Sequence, residues 1–547
     1  MSAPAIDPIS VEVIGSALST IVEEMGKAII RASHSANIKE RRDCSAAIFN
    51  TSGKIIAQAE QIPFHLGSLL GIAELVVRTV DLAGVAPGDV FIGNDAHTGG
   101  GTHLNDIVFL EPVFADGRLV AWVANLAHHS DFVERGHAHI FQEGLRIPPV
   151  RLYRAGILQQ DVMDLVLLNC QVPRERVNDF RAQMAANRVG VSRYLALCDR
   201  YGAATLDLAC IQLMDYAERM TRLAIAAIPD GRYAVAAPFD TSLWPDLLDL
   251  CVAIEVAGDE IHFDFTGNPA QPRSGLNMVL TALQATVYYV VKSLSDADTP
   301  ANAGFHRPIR ITATPGSIVN AVSPAAVYSR HDVAQRLVDM CFAALAPAVP
   351  DKALAGSTGV TVLTMSGTNP RNGRFYVYNE SMGGGLGARV RRDGVDGVHV
   401  HVTNSANIPV EALESEHPVM VEAYELVQDS GGPGRQRGGM GFRRRIRAIG
   451  HDAAINLGGP LNKIPALGLE GGHPGGLARI ELDAGVQPLN RRDGTIPAGQ
   501  AAAAITPGGG GWGDPALRDR DLVRRDLREG RISARAAAEI YRLEDPA

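Results

Sequence analysis

Hydrophobic positions recur every three or four residues through residues 9–35 (ISVEVIGSALSTIVEEMGKAIIRASHS), the spacing of one buried face on a long amphipathic helix. The period then changes. RRDCSAAIFNTSGKIIAQA reads as two strands on either side of a turn at Asn50-Thr51-Ser52-Gly53. IPFHLGSLLGIAELVVRTV returns to helical spacing and predicts a second helix that begins near Gly67. From Val90 to Phe132, strand-like runs alternate with Gly, Asn and Asp loops, and Ala115-Asp116-Gly117 predicts a tight hairpin turn. Residues 155–228 are mainly helical in pattern, strand alternation returns over 230–268, and 275–297 and 330–348 predict two more helices. Residues 355–513 combine strands with glycine loops such as SMGGGLGAR, DSGGPGRQRGGMGF, EGGHPGG and TPGGGGWGDP, and the tail predicts a charged helical pair. No repeat of fixed period is present.

This order of elements predicts an α+β class, with several mixed or antiparallel sheets, segregated helices and a Gly-loop-rich C-terminal β part. Three domains are expected: an N-terminal α/β domain over 1–230 with the candidate site, a central α+β domain over 231–355, and a Gly-rich β domain with a helical tail over 356–547.

Composition narrows the class. A chain of 547 residues with 46% hydrophobic and 20% charged residues can bury a large core and is not disordered. The net charge of -9 and the lack of a long basic run argue against nucleic acid and anionic membranes as partners. Six cysteines are scattered with no CxxC pair, so reduced thiols are expected rather than a disulfide framework or a thiolate zinc site. The N-terminal stretch lacks the basic and apolar regions of a secretory signal, and no window of about 18 apolar residues occurs. The expected compartment is the cytoplasm.

The candidate chemistry is concentrated. Six of the 16 histidines lie between residues 97 and 139: His97, His103, His128, His129, His137 and His139. His103 and Asp106 are three apart and can face one direction on a turn. If the strands joined at Ala115-Asp116-Gly117 pair, the far end of the second strand returns His128 or His129 to the same sheet end. Two imidazoles and one carboxylate with open positions make a catalytic metal set. Asp43, after two arginines, can supply a further oxygen. The same His103 and Asp106 can also do no more than cap a turn. His129, His137 and His139 read as loop residues or substrate-positioning groups.

Other motifs are weaker. Arg435 and Arg437 lie among glycines whose N–H groups could cradle an anion, but no GxxxxGK[ST] occurs, and tight turns with positive φ are the simpler reading of these loops. Ser45 and Cys44 follow Asp43 without a GxSxG elbow. Glu380, Glu411 and Glu422 read as surface or structural carboxylates.

NIKERRDCSAAIFN, QIPFHLGS, GDVFIGNDAHTGGGTHLNDIVFLEPVF, NLAHHSDF, EGLRIPPVRLY, DFTGNPAQ, NAGFHRPI, GGGLGAR, HVTNSANIPVEALE, DSGGPGRQRGGMGFRR and TPGGGGWGDP together resemble the hydantoinase B/5-oxoprolinase B family, which includes the N-methylhydantoinase beta subunit. The chain is similar also to the alpha subunit of acetone carboxylase. The motifs run in family order from about residue 7 to the end. The resemblance implies one subunit of an ATP-dependent cyclic-amide hydrolase acting on a hydantoin, 5-oxoproline or another lactam. A hydantoinase A-type partner would bind ATP and phosphorylate the substrate, in a hetero-oligomer such as α2β2, and this chain would bind no ATP. It implies one divalent ion, zinc, manganese or iron, held by His103, Asp106 and His128 with Asp43 as the additional carboxylate. That ion would deliver water or bicarbonate to the activated carbon. Asp43 or His129 would be the general base, and His97, Asp131, His137 and Arg146 the substrate contacts. An ATP-dependent ketone carboxylase subunit is the alternative.

Two departures bear on the substrate. SDFVERGHAHIFQEGLRIPPV is shorter than the equivalent segment of many members and carries His137 and His139. VYSRHDVAQR places Arg330 and His331 where relatives often have a Gly/Asn run.

Overall fold

The computed structural model describes residues 6–59, 61–98, 100–129, 138–483 and 493–544. The chain forms two compact units. The first comprises residues 1–230, 256–263 and 271–328, and the second 231–255, 264–270 and 329–547.

The first unit begins with helix α1 (Pro8–Ala32). The Asp7 side chain caps it by accepting from Ser10 N at 3.0 Å, and Pro8 fits its first turn, where no N–H is needed. Its face Ile14, Leu18, Ile21, Val22, Met25 and Ile29 is buried, as the 3.6-residue period requires. A short helix α2 (Ala36–Lys39) follows, then strands β1 (Cys44–Phe49) and β2 (Ile55–Gln58), helix α3 (His65–Thr79), and strands β3 (Val90–Gly93), β4 (Asp106–Ala115), β5 (Arg118–His128), β6 (Val150–Arg154) and β7 (Ile157–Leu158). Helices α4 (Gln160–Leu168), α5 (Pro173–Tyr201) and α6 (Ala203–Ala226) complete the first segment.

The seven strands form one antiparallel sheet in the order β2-β1-β5-β4-β3-β6-β7. Its centre is the β4–β5 hairpin that Ala115-Asp116-Gly117 predicts. Asp116 has φ 49° and Gly117 φ 73°, the two left-handed residues of a turn whose twist suits a hairpin. The strands are buried almost throughout, so helices must cover both faces. On one face, Ala46, Ile48, Val113, Ala121, Val123 and Ala127 pack with α1, α5 and α6. On that face Asn125 Nδ2 also donates to the Gln183 carbonyl and to Asn187 Oδ1 of α5, each at 2.7 Å. α3 lies against the other face, where Ser45 Oγ is 2.9 Å from His65 Nδ1. α1 and α5 approach closely because a Cβ on Gly190 would stand 2.5 Å from Met25 Sδ.

The chain then runs through β8 (Gly231–Thr241), β9 (Trp244–Ala257) and β10 (Glu260–Asp264), helices α7 (Leu280–Leu294) and α8 (Ala303–His306), and β11 (Ile309–Thr312). The second unit contains helix α9 (Arg330–Leu345), strands β12 (Thr361–Thr368) and β13 (Phe375–Met382), helix α10 (Val410–Glu416), and strands β14 (Val419–Leu426), β15 (Phe442–Ala448), β16 (Ala453–Gly458), β17 (Arg479–Leu482), β18 (Asp493–Ile496) and β19 (Ala501–Ile505). These strands form two antiparallel sheets, β13-β12-β16-β18 and β14-β15-β19-β17. Helices α11 (Arg520–Arg528) and α12 (Ala534–Glu539) form the charged tail pair.

The glycine loops of this unit meet the turn reading at Gly471 (φ 88°) and Gly513 (φ 72°) and differ from it elsewhere. The glycines at 385, 387, 432, 438, 439 and 508–511 are absent from the positive-φ set. They lie in segments laid side by side and bonded backbone to backbone. Gly432 N donates to Gly509 O, Gly439 N to Leu386 O, Gly509 N to Gly439 O and Gly510 N to Gly356 O, all at 2.7–2.9 Å. A Cβ on Gly509 would lie 2.3 Å from Leu386 O, and one on Gly385 1.9 Å from Gly439 O. Glycine is needed here for closeness rather than for a left-handed turn. The N–H groups around Arg435 and Arg437 are spent on neighbours: Arg435 N on Gly513 O, Gln436 N on Trp512 O, Arg437 N on Asp393 Oδ1 and Gly438 N on Gly432 O. That leaves no open cradle for an anion at these groups. Trp512 is buried against Ala346, Ala353 and Ala388. Among the described residues, no helix is long and apolar enough to cross a membrane.

Candidate metal centre

The site is built at the open end of the β4–β5 hairpin. β4 starts at Asp106, β5 ends at His128, and the antiparallel register sets these two residues opposite each other. His103 lies in the loop that enters β4, and its carbonyl accepts from Asp106 N at 3.4 Å. One donor atom from each of His103, Asp106 and His128 lies within 4.8 Å of the other two. His103 Nε2 is 2.8 Å from Asp106 Oδ1, and the two imidazole rings are 5.0 Å apart. His103 and Asp106 are buried and His128 is half-buried. Two imidazoles and a carboxylate that converge in this way fit a divalent ion with positions left for water and substrate.

The Asp106 carboxylate is oriented from behind. Its Oδ2 accepts from Ser68 Oγ at 3.2 Å and from Thr102 Oγ1 at 3.3 Å, which turns Oδ1 toward His103. Asn37 of α2 donates to the His128 carbonyl at 2.7 Å, and its Nδ2 is 3.0 Å from His128 Nδ1. Burial pushes the His128 pKa down, against the pull of Asp43 and Asp106.

Asp43 adjoins this trio without being one of the three mutually close donors. His128 N donates to its carbonyl at 2.9 Å, and its Oδ1 is 3.3 Å from His65 Nε2. Arg41 stands 3.9 Å from Oδ2. Burial opposes its charge, but His128, His65 and Arg41 outweigh burial and hold the carboxyl well below the usual carboxylate range. Arg42, immediately before it, has φ 56°, a conformation that a non-glycine residue adopts only when its surroundings impose it.

His129 is not brought to the trio. Adjacent strand residues point to opposite faces, so His129 lies on the α5 side while His128 lies on the α3 side. Its Nε2 is 3.0 Å from Gln183 Oε1, its Nδ1 meets Arg176, and its ring packs edge-on against Phe180. Burial and the Arg176 charge push its pKa well down. The geometry therefore gives the general-base expectation for His129 no support.

The expected substrate contacts divide. His97 is half-buried, and its Nε2 is 2.8 Å from the Ala325 carbonyl oxygen. Arg146 makes a two-point pair with Asp95, with both N···O distances 2.9 Å, and its guanidinium sits over the Phe141 ring. Asp95, Phe141 and Arg146 line a cavity of about 630 Å³ with Gln142 and Asn169, and His97 is not among its lining residues. Asp131 and His137 lie outside the described residues. His139 forms a backbone bridge with Ala325. Arg330 and His331 begin α9 in the second unit. The Cys44 thiol is buried and pushed up in pKa by that burial, as befits an inert side chain.

Sequence reasoning missed several residues behind the trio. His65 and Ser68 both lie in HLGS, a stretch that counts toward the resemblance but carries no role there. Asn37 lies in NIKERRD, a stretch in which the sequence points to Asp43 alone. Tyr328 is also missed: its ring is 6.4 Å from that of His103, and the N–H groups of Val327 and Tyr328 both donate to buried Glu143 Oε1 at 2.8 Å. The signal in each case is a polar residue inside an apolar or Gly-flanked run.

Comparison with known proteins bears on this arrangement. The family described as hydantoinase B/oxoprolinase matches residues 7–515. An uncharacterized protein of Methanocaldococcus jannaschii is 36% identical over 98% of this chain and 96% of its own length. The caprolactamase subunit beta of Pseudomonas jessenii is 30% identical over 98% of this chain and 96% of its own. The crystal structure of the ATP-dependent caprolactamase from that organism superposes with a TM-score of 0.86 at 28% identity, covering 98% of this chain and 96% of that one. The nucleotide-free structure of acetone carboxylase has a TM-score of 0.89 at 18% identity, covering 98% and 79%, and shares the fold.

Proposed function

The chain belongs to the hydantoinase B/oxoprolinase family, and we propose that it is the beta-type subunit of an ATP-dependent hydrolase of cyclic amides, with a divalent metal held by His103, Asp106 and His128. The observation that carries this reading is the convergence of those three donors within 4.8 Å at one hairpin end. The substrate class is a hydantoin, 5-oxoproline or another lactam. A hydantoinase A-type partner binds ATP and phosphorylates the amide oxygen, which makes the ring carbon electrophilic; once water has added there the ring C–N bond breaks, the nitrogen leaves with a proton, and a second water hydrolyses the resulting acyl phosphate to carboxylate and phosphate. An unstrained lactam has little drive to open, so coupling to ATP supplies it.

A divalent ion at such a set supplies Lewis acidity and lowers the pKa of water to about 7. The chain's own groups do the rest. Asp43, buried and adjoining His128, would add a further carboxylate beside the ion, and the proton released as the water oxygen joins the ring carbon would pass through it to the departing ring nitrogen. His65, 3.3 Å from Asp43 Oδ1, holds that carboxylate in place. Tyr328, beside His103, and the Asp95–Arg146 pair are the substrate-orienting groups on this unit.

The test is turnover of the co-purified pair with ATP and three rings: 5-oxoproline, hydantoin and caprolactam. The expected result is ring-opened product and ADP in equal amounts from at least one of them, abolished by His103→Ala. Incorporation of labelled bicarbonate into a ketone, with no ring opening, would overturn the hydrolase reading in favour of a carboxylase, whose fold this chain shares.

A further inference from the structure

We propose that the first turn of α3 is the shell that sets both carboxylates of the centre: His65 positions Asp43, and Ser68 positions Asp106. This rests on the metal-centre reading above. His65 and Ser68 are three residues apart, hence on one helix face. That face meets the sheet on the side where Asp106 and Ser45 point. His65 Nε2 is 3.3 Å from Asp43 Oδ1, and its Nδ1 is 2.9 Å from Ser45 Oγ, so the ring is gripped at both nitrogens. Ser68 Oγ is 3.2 Å from Asp106 Oδ2, accepts from Thr102 N at 3.0 Å and lies 3.2 Å from Thr102 Oγ1. Asp43, Ser45, His65, Ser68, Thr102 and Asp106 are all buried, so none of these bonds is diluted by solvent.

The turn is seated by the residue between the pair. A Cβ on Gly67 would stand 2.6 Å from the Thr281 carbonyl oxygen and 2.8 Å from Thr102 Cγ2. A side chain there would push α3 off the loop that carries Thr102 and His103. HLGS thus works as one device: His65 and Ser68 reach the two carboxylates, and Gly67 lets them come close enough. A carboxylate with one oxygen tied presents the other in a fixed direction. Cutting the tie lets the group rotate, and loss of such outer-shell partners typically weakens metal binding by about 10- to 100-fold.

The experiment uses the full chain, stripped of metal and titrated with zinc in competition with a chromogenic chelator. Ser68→Ala and His65→Ala are each expected to weaken zinc by about 10- to 100-fold. His65→Gln keeps an N–H donor toward Asp43 and should recover most of the loss. Leu69→Ala, a buried apolar neighbour on α3, is the control for general loosening and should leave zinc affinity unchanged despite a lower Tm. Zinc bound as tightly by Ser68→Ala and His65→Ala as by the wild type, but lost in His103→Ala, would overturn the proposal and leave the metal centre standing. Equal weakening in Leu69→Ala would overturn it as well. A wild-type chain that binds no zinc would remove the metal reading, and this proposal with it.

Discussion

His128 and His129 are adjacent in sequence and opposite in role. The alternation of a strand sends His128 toward His103 and Asp106 and sends His129 into the polar contacts of α5. His129→Asn should therefore lower Tm while leaving bound metal unchanged, as checked by thermal unfolding beside elemental analysis; loss of metal would return His129 to the centre. Glu111 gives a second prediction at this scale. Burial pushes it up to about 7 from an ordinary 4.5. Below about pH 4.5 the folded and unfolded states both hold its proton, and it adds nothing. Between about pH 4.5 and 7 the unfolded chain ionises while the folded chain still holds the proton, so stability falls by about 3 kcal/mol in all, and above 7 the penalty stays constant. Glu111→Gln should thus raise Tm at about pH 8 by clearly more than at about pH 3.5, where both states hold the proton. An equal effect at both pH values would refute the buried-acid account. The trio was legible in the sequence because its members sit at a marked hairpin. The face on which each neighbour points depends on which helix covers which side, and that is a long-range fact.

The element most legible from sequence was the β4–β5 hairpin, because Asp116 and Gly117 sit between two alternating runs and set its register. α1 was legible for the same local reason. The glycine segments of the second unit were not, since positive-φ turns and close-packed backbone segments have the same composition. They separate experimentally. Gly117 has φ 73° and open space at its Cβ position, so Gly117→Ala should cost about 1 kcal/mol. Gly509→Ala would force a methyl into the Leu386 backbone and should cost more than about 4 kcal/mol or leave no soluble protein. Similar losses for the two in urea unfolding would contradict the packed-glycine account. α3 lies between these cases: its helical period is plain, and its polar first turn gains meaning only once Asp43 and Asp106 are seen behind it.

On the scale of the whole molecule, the α+β class and the family follow from motifs spread over residues 7–515, and the relatives cover nearly the full chain. The ring to be opened is not written in those motifs, and the proposed substrate-orienting residues Tyr328 and Arg146 meet their partners His103 and Asp95 only in the folded chain. The central claim is that one hairpin end holds a catalytic ion. Elemental mass spectrometry on the purified chain, beside His103→Ala and Asp106→Ala, tests it most directly. The account predicts about one equivalent of a divalent transition metal in the wild type and its loss in both variants. A folded wild-type chain without metal, or variants that keep it, would contradict the account and leave His103, Asp106 and His128 as hydrogen-bonding residues at a strand end.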